Sequence, residues 1–139
     1  MAFRLPRLRL RNPVTPRLRY APRPDGWPDP GEVVWTWVPY EDDPTRGKDR
    51  PVLIIGEERD RLLALQLTSR DHVDDAAQER RAGREWMDIG IGMWDVQRRP
   101  SEVRLNRLLH IHPAAVRREG AALDREIFDA VLEAARPYL

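Results

Sequence analysis

The sequence predicts one domain that is mainly β (α+β), a small curved β-barrel with short helices and a C-terminal helix. Three observations predict it. Apolar residues after position 30 come in short runs of strand length, each bounded by Gly, Pro or charged residues. Only the end of the chain, with Ile127, Phe128, Val131, Leu132 and Ala135 on one stripe, has a clear helical period. About five such runs precede that helix, with no internal repeat and no Gly-rich phosphate loop of either nucleotide-binding type.

Each element follows from local chemistry. Residues 1–29 read as an Arg/Pro-rich extended or disordered arm, because Pro6, Pro13 and Pro16 interrupt any ladder or helix among Leu5, Leu8 and Leu10. The folded domain is expected over residues 30–139. Gly31 to Val38 carries Val and Trp, which suit a half-buried pleated surface. Residues 39–49 hold Pro39, Pro44, Gly47 and six charges and read as a loop. Val52–Ile55 is a strand, Gly56 to Arg61 a charged turn, and Leu62–Thr68 the next strand. There Leu63, Leu65 and Leu67 share one face while Gln66 and Thr68 point to the other.

Residues 69–84 read as polar loop, with a short helical turn at Asp74–Arg81. Trp86–Ile89 is a short strand, and Gly90 and Gly92 mark a turn or bulge after it. Val103 to Ile111 alternates as a strand interrupted by Arg107. Pro113 and Gly120 frame a short helix. Asp124 is placed to cap the last helix and Pro137 to stop it.

Composition narrows the functions. A chain of 139 residues, 41% apolar, holds one ordinary domain with a modest core. Without cysteine there is no disulfide, thiolate metal site or thiol nucleophile, which fits a cytoplasmic protein. No run approaches the ~18 apolar residues that span a bilayer, and the basic N-terminus lacks the apolar run of a signal peptide. The net charge of +1 hides an asymmetry. Residues 1–24 carry seven arginines and no acid, so the rest of the chain sums to −6. Such an arm suits RNA or an acidic partner, through counterion release. Lys48 is the only lysine among 24 basic residues, and arginine's forked donors suit phosphate.

The order Gly31-Glu32-Val33-Val34-Trp35, a long acidic loop, Arg50-Pro51-Val52-Leu53-Ile54, then a strand closed by Thr68 resembles the MazF/PemK toxins of type II toxin–antitoxin systems. The resemblance covers roughly residues 30–139 and implies an SH3-like barrel, a homodimer and metal-independent cleavage of single-stranded RNA (mRNA) to a 2′,3′-cyclic phosphate. It implies Arg50 as the catalytic arginine and Thr68 as the threonine supporting the phosphate. It also implies a cognate antitoxin whose acidic segment fills the RNA groove, promoter DNA bound through the toxin–antitoxin complex, and no cofactor.

One departure stands in the loop. Where many ribonuclease members carry Gly-Ser-Glu, this chain has Asp43-Pro44-Thr45. Glu41, Asp42 or Asp43 can take the missing acid's place, or the protein is a catalytically impaired nucleic-acid- or protein-binding module. His72 is a further acid–base candidate, and Arg46, Lys48, Thr45 and Ser69 are candidate substrate contacts. His110 and His112 share a face but lack a third ligand at recognisable spacing, so no metal site is expected. Trp35, Trp37, Trp86 and Trp94 can stack on bases, although most belong in a core this small. Trp94 is expected to be the most exposed of them.

Overall fold

A run such as Val52-Leu53-Ile54-Ile55 sends alternate side chains to opposite sides of a strand, so it is stable only where both sheet faces are covered. The structure, a computed structural model, describes residues 17–23, 27–69 and 76–139. Its elements are β1 (Arg17–Leu18), β2 (Glu32–Pro39), β3 (Gly47–Glu58), β4 (Arg61–Thr68), α1 (Ala76–Arg81), β5 (Trp86–Gly90), β6 (Ser101–Ile111), a 3₁₀ turn at Pro113–Ala115, β7 (Arg118–Ala122), α2 (Arg125–Ala135) and a 3₁₀ turn at Arg136–Tyr138. The strands form one antiparallel, mainly β architecture in the order β5-β6-β4-β3-β2-β7, with β1 paired to the far end of β3.

The alternation resolves into two clusters. Val33, Leu53, Ile55, Leu63, Leu65, Leu67 and Val103 face α2, which inserts Phe128, Val131 and Ala135 between them. Val34, Val38, Val52, Ile54, Leu62, Ala64, Leu109 and Ile111 fill the opposite face. Residues 17–23 run against the first cluster. The Tyr20 ring meets Phe128 edge to face at 5.1 Å, and its hydroxyl donates to the Leu123 carbonyl at 2.6 Å. The rest of the expected arm, residues 1–16 and 24–26, lies outside the described residues.

The expected barrel closure is not made among the described residues: β5 and β7 remain the outer strands of an open sheet. Both are only five residues long. Register shifts at Asp88/Gly90 and Val33/Trp35 break the ladders that hold them, so neither offers a continuous edge to the other. A side chain links the two sides instead, with Trp35 Nε1 donating to the Trp94 carbonyl at 2.9 Å.

Five local expectations are corrected. The loop is shorter than residues 39–49, because pairing with β2 continues through Thr36↔Arg50, Val38↔Lys48 and Pro39↔Gly47. Lys48 and Arg50 therefore sit on β3, and residues 40–46 form the loop. The β3–β4 turn narrows to Arg59 and Asp60, with Glu58 opposite Arg61. The helix expected between Pro113 and Gly120 stops after Pro113–Ala115, and the chain then pairs with β2 as β7. Eight residues without an apolar stripe gain less from a helix than from satisfying the open edge of β2.

Trp94 is buried rather than exposed. Its indole Nε1 donates to Ser101 Oγ at 3.1 Å, and Arg99 holds the buried Asp95 beside it at 2.8 Å. Asp124 occupies the position before α2, but its side chain makes no capping hydrogen bond. The short helix expected at Asp74–Arg81 is described from Ala76 onward, as α1.

At Gly120 the β7 backbone lies so close to β2 that an added Cβ would fall 1.1 Å from the Val33 carbonyl oxygen. Gly120→Ala must push β7 off β2. We expect a loss of about 1–3 kcal/mol, read from urea unfolding, and an unchanged midpoint would show that β7 is not docked in solution.

Candidate functional site

The strands continue past the second cluster toward the loop 40–46, and there the inward-facing positions turn polar. Arg50 precedes Val52 and Ile54 on β3, Gln66 follows Leu62 and Ala64 on β4, and Arg107 precedes Leu109 and Ile111 on β6. Together with Pro39, Tyr40, Glu41, Asp42, Arg84, Trp86 and Arg104 they line a cavity of about 450 Å³. Four guanidinium groups and two carboxylates thus share one concave surface at the end of the apolar core.

The most buried of the four arginines is Arg104, whose side chain is only 5% exposed. Its Nε donates to Asn106 Oδ1 at 2.6 Å, and its guanidinium lies 6.0 Å from the centre of the Trp86 ring. Nη1 and Nη2 are left pointing outward as a fork, and they donate to the two carboxylate oxygens of Glu41 at 3.1 and 3.2 Å. Arg107 Nη2 donates to the Pro39 carbonyl at 2.8 Å and Nη1 to Gln66 Oε1 at 3.3 Å. Burial lowers its pKa, with Arg104 and Arg50 adding repulsion while Glu41 opposes it. A guanidinium nonetheless stays charged, so Arg107 is a partly desolvated cation.

Arg84 is held from behind. Its Nε and Nη2 donate to Glu79 at 2.9 and 2.8 Å, and this pairing raises its pKa. Glu79 Oε1 also accepts from Trp86 Nε1 at 2.8 Å, fixing the ring that backs Arg104. Arg50 differs from these three. Among the described residues its guanidinium makes no hydrogen bond or ion pair.

The hydrogen bonds from Arg104 are the main reason that the Glu41 carboxyl is held below its usual range; burial opposes them, and the charges of Arg104, Arg107 and Arg84 assist. The sign follows from linkage. A depressed carboxylate contributes stability that is complete above its unfolded-state value and is lost as pH falls through the lower folded value. The site should therefore loosen only on the acid side of about pH 4. A carboxyl NMR titration of Glu41 checks this, and a normal or raised midpoint would show that the pair does not form in solution.

The fold gathers Arg50, Glu41 and Asp42 of the sequence candidates around one cavity. Thr68 does not line it. Thr68 closes β4 opposite Glu102 of β6, and extending the Val52↔Gln66 register by two residues brings it level with Arg50. Asp43 turns the loop instead, its Oδ1 accepting from Thr45 N at 3.2 Å and Thr45 Oγ1 at 2.6 Å. Arg46 lies 5.9 Å from the Tyr40 ring centre, Lys48 is exposed on β3, and Ser69 is exposed just beyond β4. His72 lies outside the described residues. His112 Nδ1 accepts from Ala114 N at 3.1 Å and His110 approaches Glu58 at 3.6 Å, and no group of three potential metal ligands occurs among the described residues.

Sequence reasoning missed Arg84, Arg104 and Asn106, and it treated Arg107 only as an interruption of a strand. The signal was present in Val103-Arg104-Leu105-Asn106-Arg107, a strand whose apolar core stops at polar residues. No helix of the described residues is long and apolar enough to cross a membrane.

A family model described as PemK-like, MazF-like toxin of type II toxin-antitoxin system matches residues 29–139. No individual curated protein matches the chain. The family match spans every strand from β2 to β7, the loop 40–46 and all the residues around the cavity, and the chain therefore belongs to the PemK/MazF toxin family of type II toxin–antitoxin systems.

Proposed function

We propose that the protein is the toxin of its system and an endoribonuclease that cleaves single-stranded RNA by attack of a 2′-hydroxyl on the adjacent phosphorus. In that reaction the 2′-O–P bond forms, the P–O5′ bond breaks, and a 2′,3′-cyclic phosphate is left. A base must accept the 2′-hydroxyl proton, an acid must protonate the leaving O5′, and cations must stabilise the charge on the phosphorane oxygens. The observation that carries the reading is the cavity itself, which Arg50, Arg107 and Arg104 line together with Glu41 and Asp42. Guanidinium groups bind two phosphate oxygens at once and remain charged throughout. Glu41 is ionised at neutral pH and can accept a proton. Thr68, level with Arg50, is proposed as a hydroxyl donor to the same phosphate.

As a toxin the protein would be regulated by an antitoxin presenting an acidic segment to these arginines, and promoter DNA would be reached through that complex. A homodimer, with RNA lying across two copies of the sheet, is part of the same reading.

A second reading, a binding module without cleavage, is favoured by one observation. Thr45, at the position where other members carry an acid, spends its hydroxyl on Asp43 within the loop. Incubation of mixed-sequence RNA with the protein in EDTA separates the two. Products with cyclic-phosphate ends support the ribonuclease, and RNA that is bound but intact supports the module.

A further inference from the structure

The ion pair between Arg104 and Glu41 is unequal. Arg104 is 5% exposed, while Glu41 is 52% exposed and lies on the loop 40–46. Every other contact of Arg104 fixes it in place, with Asn106 at its Nε and the Trp86 ring at its face. Asn106 is itself anchored by the Glu85 amide, which donates to its Oδ1 at 3.1 Å. Glu41 has no such support: among the described residues its carboxylate makes hydrogen bonds and an ion pair with Arg104 alone. A buried guanidinium requires an anion on its fork, and here a loop carboxylate is that anion.

The oxygens of Glu41 take the two positions on the Nη1–Nη2 edge that the non-bridging oxygens of a phosphodiester would take, since carboxylate and phosphate present similar bidentate geometry to arginine. Both cannot occupy that edge together. Resting on the ribonuclease reading above, we infer that Glu41 is an internal occupant of a phosphate seat on Arg104, which a nucleic-acid phosphodiester displaces, so that the loop 40–46 gates the cavity.

Three observations favour nucleic acid over an acidic protein segment as the displacing ligand. The cavity, about 450 Å³, has room for a nucleotide unit. Trp86 and Tyr40 line it and offer rings for a base. Arg50 and Arg107 add cations that a single carboxylate would leave unused, while successive phosphates along a strand would meet them.

Among the described residues the backbone hydrogen bonds of the loop are internal to it. It closes on itself through Tyr40 N to the Arg46 carbonyl at 2.8 Å and Arg46 N to the Asp43 carbonyl at 3.0 Å, bonds that travel with it. Its further tie is Arg107 to the Pro39 carbonyl, at the β2 end where a hinge would lie.

The test compares wild type, Glu41→Gln and Glu58→Gln for binding of a mixed-sequence 2′-deoxyoligonucleotide, which cannot form a cyclic phosphate, and of a polyglutamate peptide. Glu58 lies at the other end of β3 from Arg50, so its variant removes the same charge away from the cavity. Glu41→Gln should bind the oligonucleotide about fivefold or more tightly, because the apparent Kd of wild type is the intrinsic value divided by the fraction of molecules with the seat free. Glu58→Gln should stay within about twofold of wild type. Equal tightening in both variants would reduce the effect to net charge and overturn the gate. Unchanged or weaker binding by Glu41→Gln, with wild type binding normally, overturns the gate and leaves the ribonuclease reading standing. Tightening for polyglutamate but not for the oligonucleotide overturns phosphate as the displacing group. If no variant binds the oligonucleotide, the nucleic-acid reading fails and the gate fails with it.

Discussion

Replacing Arg50 by alanine should lower RNA cleavage by about 10²–10³-fold, the usual cost of removing one donor aimed at developing charge, while leaving the fold intact. The side chain is half-buried at the rim of the cavity, and among the described residues it makes no hydrogen bond or ion pair. Its backbone pairs with Thr36 whatever the side chain is. Its charge bears unfavourably on Arg107, so its removal relieves repulsion, and unfolding free energy should stay within about 0.5 kcal/mol of wild type. Arg50→Lys should remain well below wild type, because an ammonium group cannot hold two phosphate oxygens in one plane. Initial rates on a defined RNA, measured beside urea unfolding, check both halves. An Arg50→Ala protein that cleaves at near wild-type rate would move the charge-stabilising role to Arg107 and Arg104.

Phe128→Ala should produce the largest loss of stability from any single substitution considered, about 3–5 kcal/mol. Phe128 is 1% exposed and is the largest fully buried side chain. Its ring joins α2 to the sheet cluster of Leu53, Leu63 and Leu65, and it receives the edge of Tyr20. Truncation opens a cavity between helix and sheet and loosens residues 17–23 at the same time. Small domains are stable by about 5–15 kcal/mol in all, so much of the protein's margin would go. The substitution lies on the face opposite Arg50, Gln66 and Arg107, so cleavage by the fraction still folded should persist at low temperature. A loss below about 1.5 kcal/mol in urea would mean that α2 does not fold cooperatively with the sheet.

The two substitutions probe parts of the molecule that were unequally legible in the sequence. The strands carrying Val33–Val34, Val52–Ile55 and Leu62–Leu67 could be read because apolar runs of that length are stable only as buried strands. The stripe of Phe128, Val131 and Ala135 could be read because helical spacing leaves one apolar face. The segment 113–122 could not. Its conformation is decided by the unpaired edge of β2 and by the space that Gly120 leaves beside Val33, both remote in sequence. Trp94 was misplaced for a similar reason, since its burial depends on Ser101 and on the turn that Asp95 and Arg99 hold.

The sequence by itself determined the family, the mainly β composition and the terminal helix, because each rests on order or period along the chain. It also singled out Arg50, Glu41 and Asp42. Only the tertiary structure decided that these three meet Arg84, Arg104 and Arg107, that Asn106 and Trp86 aim the Arg104 fork, and that Glu41 holds it. It also decided that the sheet stays open. The physical reason is common to all of these. Electrostatic and hydrogen-bonding partners act through space over a few ångströms, and 63 positions of sequence separate Glu41 from Arg104, whereas propensity and periodicity act between neighbours and leave their mark on the sequence itself.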